Sequence, residues 1–225
     1  MNQIKNDLNK EEKEFINKVI ANSKRIDGRK FKEQREFTFN SINNNSYIYT
    51  LGNTAFEMKV DYKGKTSENN YIEPSDKLLS YIPDFLLKME VLEKYLSEIK
   101  ISVSIDIKIY RDDGNVYDGV FNCLSSIFSD IQIPCLNVLD NTTSSLYKDN
   151  MEMINRKFFN VKIDLGFSTT YAIFGTQGII DPILAEENSC DVTLHIHVLN
   201  YNIKYYFKSD GKLSINDILE LFKLN

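Results

Sequence analysis

Tryptophan is absent from this chain, and histidine occurs only twice, at His195 and His197. Those two fall at i, i+2 in VTLHIHVL, on one face of a strand, with no cysteine or carboxylate pair at zinc-like spacing beside them. That ligand set is too small for a structural or catalytic zinc site, so both read as ordinary sheet residues and no metal is expected. Cysteine is scarce too: Cys123, Cys135 and Cys190 are odd in number and lack C-x-x-C spacing. They read as reduced, mostly buried thiols of a cytosolic or nuclear protein, and Cys123 falls on an apolar helix stripe where a thiol is inert. No run approaches the roughly 18 uncharged apolar residues of a membrane span, and the charged, polar first twenty residues have no signal-peptide core. Positive charge is in short supply, with 27 Lys and Arg against 32 Asp and Glu. An acidic chain is a poor nucleic-acid binder on its own, because affinity for phosphates comes mainly from cations, although a partner could supply the positive surface. G-x-S-x-G, H-E-x-x-H and Walker motifs are all missing.

What is present suffices for one substantial domain over residues 1–225, with 42% hydrophobic residues and neither a repeat nor a low-complexity linker. Asn9 and Glu12 carry capping-box spacing for a helix over about 9–22, with Phe15, Ile16, Val19 and Ile20 on one face. Residues 36–62 are rich in β-branched and aromatic types, broken at LGN 51–53, which predicts two or more antiparallel strands. A polar loop is expected over 62–76, then a helix from Pro83 carrying Phe85, Met89, Leu92 and Leu96. In KISVSIDIKIY the apolar residues Ile101, Val103, Ile105, Ile107 and Ile109 alternate, the period of a strand with one buried face. Val120, Cys123, Leu124, Ile127 and Phe128 follow at helical spacing. Beyond a polar loop at 140–156, strands are expected near 158–165, 171–175 and 192–199, with turns at Gly166 and Gln177–Gly178. Ser214 and Asp217 cap a last helix bearing Ile215, Ile218, Leu219 and Phe222. The order predicts a mixed α+β domain.

Three separated pieces stand out. RIDGR sets an Asp-Gly turn between Arg25 and Arg29, with Arg35 following six residues on. RDDGNVYDG, residues 111–119, lies at a strand-to-helix junction, the place where many phosphate enzymes grip an anion. DPILAEE, residues 181–187, lies between two expected strands.

Together these pieces resemble the RNase PH superfamily, and within it the ring-forming RNase PH-like subunits of the RNA exosome. The likeness rests on Arg25, Asp27, Gly28, Arg29 and Arg35 after an N-terminal helix, and on Gly52-Asn53-Thr54 as the G-x-T element. Asp113, Gly114, Asn115 and Asp118 match the D-G-G-N-x-x-D-A element of non-catalytic ring members, and Asp181, Pro182, Glu186 and Glu187 match D-P-T-x-x-E-E. The resemblance implies a single RNase PH-like domain (ribosomal protein S5 domain 2-like) with mixed, mostly antiparallel sheets and packed helices.

Active members hold inorganic phosphate at that junction with a hydroxyl residue and an arginine. Here those positions match Asn115 and Val116, and Glu187 stands where active enzymes keep an assisting aspartate. Valine donates neither a hydrogen bond nor a charge. Asp112, Asp113 and Asp118 crowd the turn, and at about 4–6 Å each would cost a phosphate dianion on the order of a few kcal/mol. The resemblance therefore implies a degenerate site at Asp113, Asn115, Val116 and Glu187, with no catalytic residue and no cofactor. It gives structural or interface roles to Arg25, Asp27, Gly28, Arg29, Arg35, Gly114, Asp118, Asp181 and Glu186. Asp118 is expected to bond the first amides of its own helix, and Arg29 or Arg35 to pair with carboxylates inside the fold or across an interface. Lys63 and Lys65 are channel-contact candidates, set against the plainer reading of solvated loop lysines. The implied partners are other RNase PH-like exosome subunits in a hexameric ring, RNA-binding cap subunits, a separate catalytic exoribonuclease and single-stranded RNA, in the nucleus, nucleolus and cytoplasm. The competing reading is an active phosphate-dependent 3′ exoribonuclease with a composite site.

Overall fold

The computed structural model describes residues 8–64, 71–82, 89–99, 101–129, 131–134, 158–199 and 202–209. The strand with the clearest alternation organises the first layer. β5 (Ile101–Arg111) buries Ile101, Val103, Ile105 and Ile107, each at most 3% exposed, while the residues between them are polar. It lies inside a five-stranded sheet of order β1-β2-β3-β5-β4, built with β1 (Phe37–Asn43), β2 (Ser46–Leu51), β3 (Thr54–Gly64) and β4 (Ile72–Pro74). All pairings are antiparallel except β4 with β5. Helices α2 (Asp76–Tyr81) and α3 (Glu90–Ile99) add Leu78, Leu92 and Leu96 to the same apolar cluster.

Helix α4 (Val116–Phe128) is mostly apolar, and ten of its residues are buried, with Asn122, Ser125 and Ser126 half-buried. It runs between the first sheet and a second one of order β11-β10-β8-β9. That sheet is antiparallel, made of β8 (Phe167–Phe174), β9 (Gln177–Ile180), β10 (Val192–Leu199) and β11 (Asn202–Ser209). Helix α1 (Lys10–Ala21) docks on it through Ile16 and Ile20, against Ala172, Phe174 and Ile179. A short pair, β6 (Ile131–Pro134) with β7 (Phe158–Val161), and the four-residue helix α5 (Leu184–Glu187) complete the described elements. The architecture is α+β with mixed and antiparallel sheets and packed helices, as the pattern of elements predicts.

Asn9 and Glu12 close the expected capping box on α1, but Phe15 points outward at 63% exposure because only Ile16 and Ile20 meet the sheet. The expected polar loop over 62–76 holds the end of β3, the short parallel strand β4 and the start of α2, capped by Ser75. The turn expected at Gln177–Gly178 lies two residues earlier: Gly175 takes the positive φ of 56° and Gln177 pairs with Phe174. β8 starts at Phe167, ahead of the expected 171, and the strand expected over 158–165 ends at Val161. Ile163 and Leu165 instead enter the main core as irregular chain. Pro83, Phe85, Lys65, the loop at 140–156 and the helix expected from Ser214 lie outside the described residues. Among the described residues, no helix is long and apolar enough to cross a membrane.

Candidate functional site

All three sequence pieces meet at the N-terminal end of α4. The frame comes from the sheet: β3 and β5 slip register between Ala55 and Phe56, beside the point where β5 ends at Arg111. Bulges of this kind re-aim the chain as it leaves a sheet. The turn 112–115 then rests on Thr54, whose buried hydroxyl donates to the Gly114 carbonyl at 2.7 Å and accepts the Asp113 amide at 3.0 Å. Gly114 and Asn115 both have positive φ, 83° and 57°, which turns the chain sharply into the helix.

Asp181 is the hub. It follows β9 in the left-handed region at φ 48°, a conformation aspartate tolerates better than most residues, and it is 2% exposed. Its Oδ1 accepts from Arg35 Nη2 at 2.7 Å and from Asn115 Nδ2 at 2.7 Å. Its Oδ2 accepts from Arg29 Nη1 at 2.8 Å and from the Arg35 amide at 2.7 Å. Arg35 spends its other donors on the carbonyls of Asp113, Gly114 and Pro182. Burial alone would raise the Asp181 carboxyl; the Arg35 guanidinium outweighs it and holds the group below its ordinary value. Arg35 moves the opposite way, raised against burial by the same partner.

A second buried pair locks behind it. Arg25 Nε and Nη2 meet Glu186 Oε1 and Oε2 at 3.1 and 2.6 Å, the two-pronged geometry that suits guanidinium and carboxylate. The remaining Arg25 donors go to the carbonyls of Ile180, Asp181 and Glu33. Asp27 binds the Arg29 amide and Nε, closing the RIDGR turn, with Gly28 at φ 81°. Both arginines expected to seek carboxylates, Arg29 and Arg35, therefore find Asp181 inside the fold.

The turn leading into α4 faces these groups with three of its amides engaged. The Asn115 amide donates to Glu187 Oε1 at 2.7 Å, the Gly114 amide to Asp112 Oδ1 at 3.0 Å, and the Asp113 amide to Thr54. Val116, 7% exposed, offers only a hydrocarbon side chain. Asp113 lies 3.7 Å from Arg35. Asp118 departs from expectation: it bonds no amide of its own helix but turns to β8, where its carboxylate accepts both the amide and the hydroxyl of Thr170. Its oxygens are spent on β8, and it acts on the turn only by repelling Glu187. Lys63 is exposed near the other end of β3 from Thr54, about 30 Å along the strand. Thr54, the last residue of the G-x-T element, and Thr170, which no spacing rule marks, carry much of this geometry. Among the described residues no cluster of His, Cys, Asp or Glu is placed to hold a metal.

Burial pushes the Glu187 carboxyl up to about 8 from its ordinary 4.5, with Asp112 and Asp118 adding repulsion against the bond from Asn115. A carboxyl raised on folding contributes stability in full below its unfolded value and loses it as pH climbs through the folded one. Glu187 is therefore expected to cost the fold about 1–2 kcal/mol between mildly acid and mildly alkaline pH, allowing for its partial exposure. Thermal unfolding followed across that window should show the decline in the natural chain and a flatter profile in Glu187→Gln. Equal slopes would mean that this carboxyl is not the titrating group.

No family model matches the chain, and no curated protein does. Solved structures do. A chain of the Archaeoglobus fulgidus exosome with RNA bound to the active site superposes with a TM-score of 0.74 at 19% identity, covering 95% of this chain and 93% of its own. A chain of an archaeal exosome core gives 0.69 at 20% identity, covering 95% and 91%. Rrp46 of rice (Oryza sativa) gives 0.55 at 15% identity, covering 88% and 91%. Agreement over nearly the whole length of each chain, at identities this low, establishes the architecture: this protein has the fold of those exosome chains.

Proposed function

We propose that this protein is a non-catalytic, RNase PH-like subunit of an RNA exosome ring, which scaffolds a channel that guides single-stranded RNA to a separate 3′–5′ exoribonuclease. The observation that carries the reading is the state of the α4 head. An anion seat needs free amides and a free cation. Here Glu187 and Asp112 occupy the amides of Asn115 and Gly114, while Arg25, Arg29 and Arg35 are committed to Glu186 and Asp181. Two amides of the turn and three arginines are thus taken up by the protein's own acidic side chains. The shared fold supports the ring: the structures it resembles are of an exosome bound to RNA and of an exosome core. An acidic protomer suits a scaffold whose neighbours and cap subunits supply the positive lining, and the reading carries with it a nuclear, nucleolar and cytoplasmic setting.

One feature favours the phosphorolytic alternative, a composite site completed by a neighbour: Glu187 holds a proton near neutrality beside the helix head, as a general acid does. Incubation of the purified chain, alone and with its ring neighbours, with RNA and inorganic phosphate separates the two. The scaffold reading expects no nucleoside diphosphate from this subunit. Release that disappears with Glu187→Gln or Asp113→Asn overturns it.

A further inference from the structure

Away from the arginine cluster, three polar side chains are buried between α4 and the second sheet. Asp118 is 4% exposed, Thr170 is fully buried and His195 is 7% exposed. Thr170 on β8 stands directly across from His195 on β10. Asp118 Oδ2 accepts the Thr170 amide at 2.7 Å, and Oδ1 accepts its hydroxyl at 2.8 Å. The same hydroxyl oxygen lies 2.7 Å from His195 Nδ1, and the imidazole stacks on Tyr117 with ring centres 3.8 Å apart.

A hydroxyl has a single proton to give. While Asp118 is ionised it can only accept, so Thr170 must donate to Oδ1, and Nδ1 must then donate to the Thr170 oxygen. The charge on Asp118 thereby dictates the histidine tautomer two residues away in the chain of bonds. When Asp118 carries a proton, the chain can run the other way: Asp118 donates to Thr170, Thr170 donates to a bare Nδ1, and the ring proton sits on Nε2. We infer that Asp118, Thr170 and His195 form a proton-linked relay, in which uptake of one proton reverses both hydrogen bonds and transfers the His195 ring proton from Nδ1 to Nε2. The balance closes: one proton arrives at Nε2, one passes from Nδ1 to Thr170, and one passes from Thr170 to Asp118.

The surroundings set the range in which this happens. Among the described residues, the ionisable groups facing Asp118 are Tyr49 from β2, Tyr171 from β8, His195 from β10 and Glu187 from α5. All but the histidine are acids. Burial pushes the Asp118 carboxyl up to about 6, with the Thr170 bonds holding it back. The relay therefore reverses under mildly acid conditions. Because the Thr170 amide donates to Oδ2 in either direction, α4 stays fastened to β8 while the polarity of its link to β10 changes. The device does not depend on whether the helix head binds phosphate.

Nitrogen-detected histidine NMR on the full-length chain tests it, with His195 assigned by comparison with His197→Gln. The expected result is the Nδ1–H tautomer at about pH 8 and the Nε2–H tautomer at about pH 5, with a midpoint close to the Asp118 value. Thr170→Val, of the same shape but without the hydroxyl, should abolish the step, and Thr170→Ser should keep it. Should the valine chain fail to fold, Asp118→Asn gives the same reading, with one tautomer throughout. A single tautomer across the range in the natural chain, or an imidazolium forming at His195 while Asp118 remains ionised, overturns the relay.

Discussion

Asp181→Ala is expected to lower the unfolding free energy by about 3–5 kcal/mol, since removing one partner leaves the others as uncompensated buried charge. For a chain of this size that corresponds to a fall in melting temperature of about 10 °C. The carboxylate is 2% exposed and serves Arg29, Arg35 and Asn115 together. Arg35 loses the partner that outweighs its own burial. Two further substitutions locate the effect. Asp181→Asn keeps the volume and tolerates the positive φ, so its cost isolates the charge. Arg29→Ala removes a partner whose side chain is 13% exposed and can be replaced by water, so about 1–2 kcal/mol is expected. Denaturant midpoints at constant slope provide the measurement. If Asp181→Ala costs no more than Arg29→Ala, the hub is a surface ion pair and the account of the site fails.

The hub also shows where sequence reasoning reaches and where it stops. A period of two over eleven residues leaves β5 no alternative, and the capping box of α1 is a local device written within four residues. The cluster of Arg29, Arg35 and Asp181 was approachable because arginine forks need carboxylates, although its two halves lie 146 residues apart between Arg35 and Asp181. Asp118 departs from the expected partner for a physical reason. A carboxylate in the first turn of a helix ordinarily serves the helix's own amides, but here Glu187 has taken the Asn115 amide and β8 passes within reach. Local chemistry names a default partner; only packing reveals a competitor. β4 leaves no pattern in the sequence because three residues beside β5 need no alternation of their own to pair with it.

Helix α5 draws the consequences together, because one short turn delivers both neighbouring carboxylates in opposite senses. Glu186 points back to Arg25 and is fully buried, while Glu187 points forward to the head of α4. Residues adjacent in a helix diverge by about 100° around its axis, so a single rigid turn can serve two partners. The turn is itself pinned by the Leu184 amide on the Asp113 carbonyl at 3.0 Å. Displacing α5 would therefore release the arginine lock and the occupied amide together.

Gly114→Ala is the substitution that would displace it. A Cβ on Gly114 would overlap the Leu184 amide nitrogen and the Ile183 carbonyl carbon, and lie 2.9 Å from Leu184 Cα. All three are backbone atoms, so no rotamer change relieves the overlap. The residue also sits at φ 83°, where any side chain adds about 1–2 kcal/mol. Strain and overlap together should cost about 3–5 kcal/mol, with hydrogen exchange quickened at Leu184 and Asn115 as α5 lifts. Gly28→Ala is the matched control: its φ is 81°, but nothing lies within 4 Å of the added carbon. It carries the conformational strain alone, about 1–2 kcal/mol. The difference between the two measures how tightly α5 presses on the turn, and two equal losses would show that the pair is not in contact.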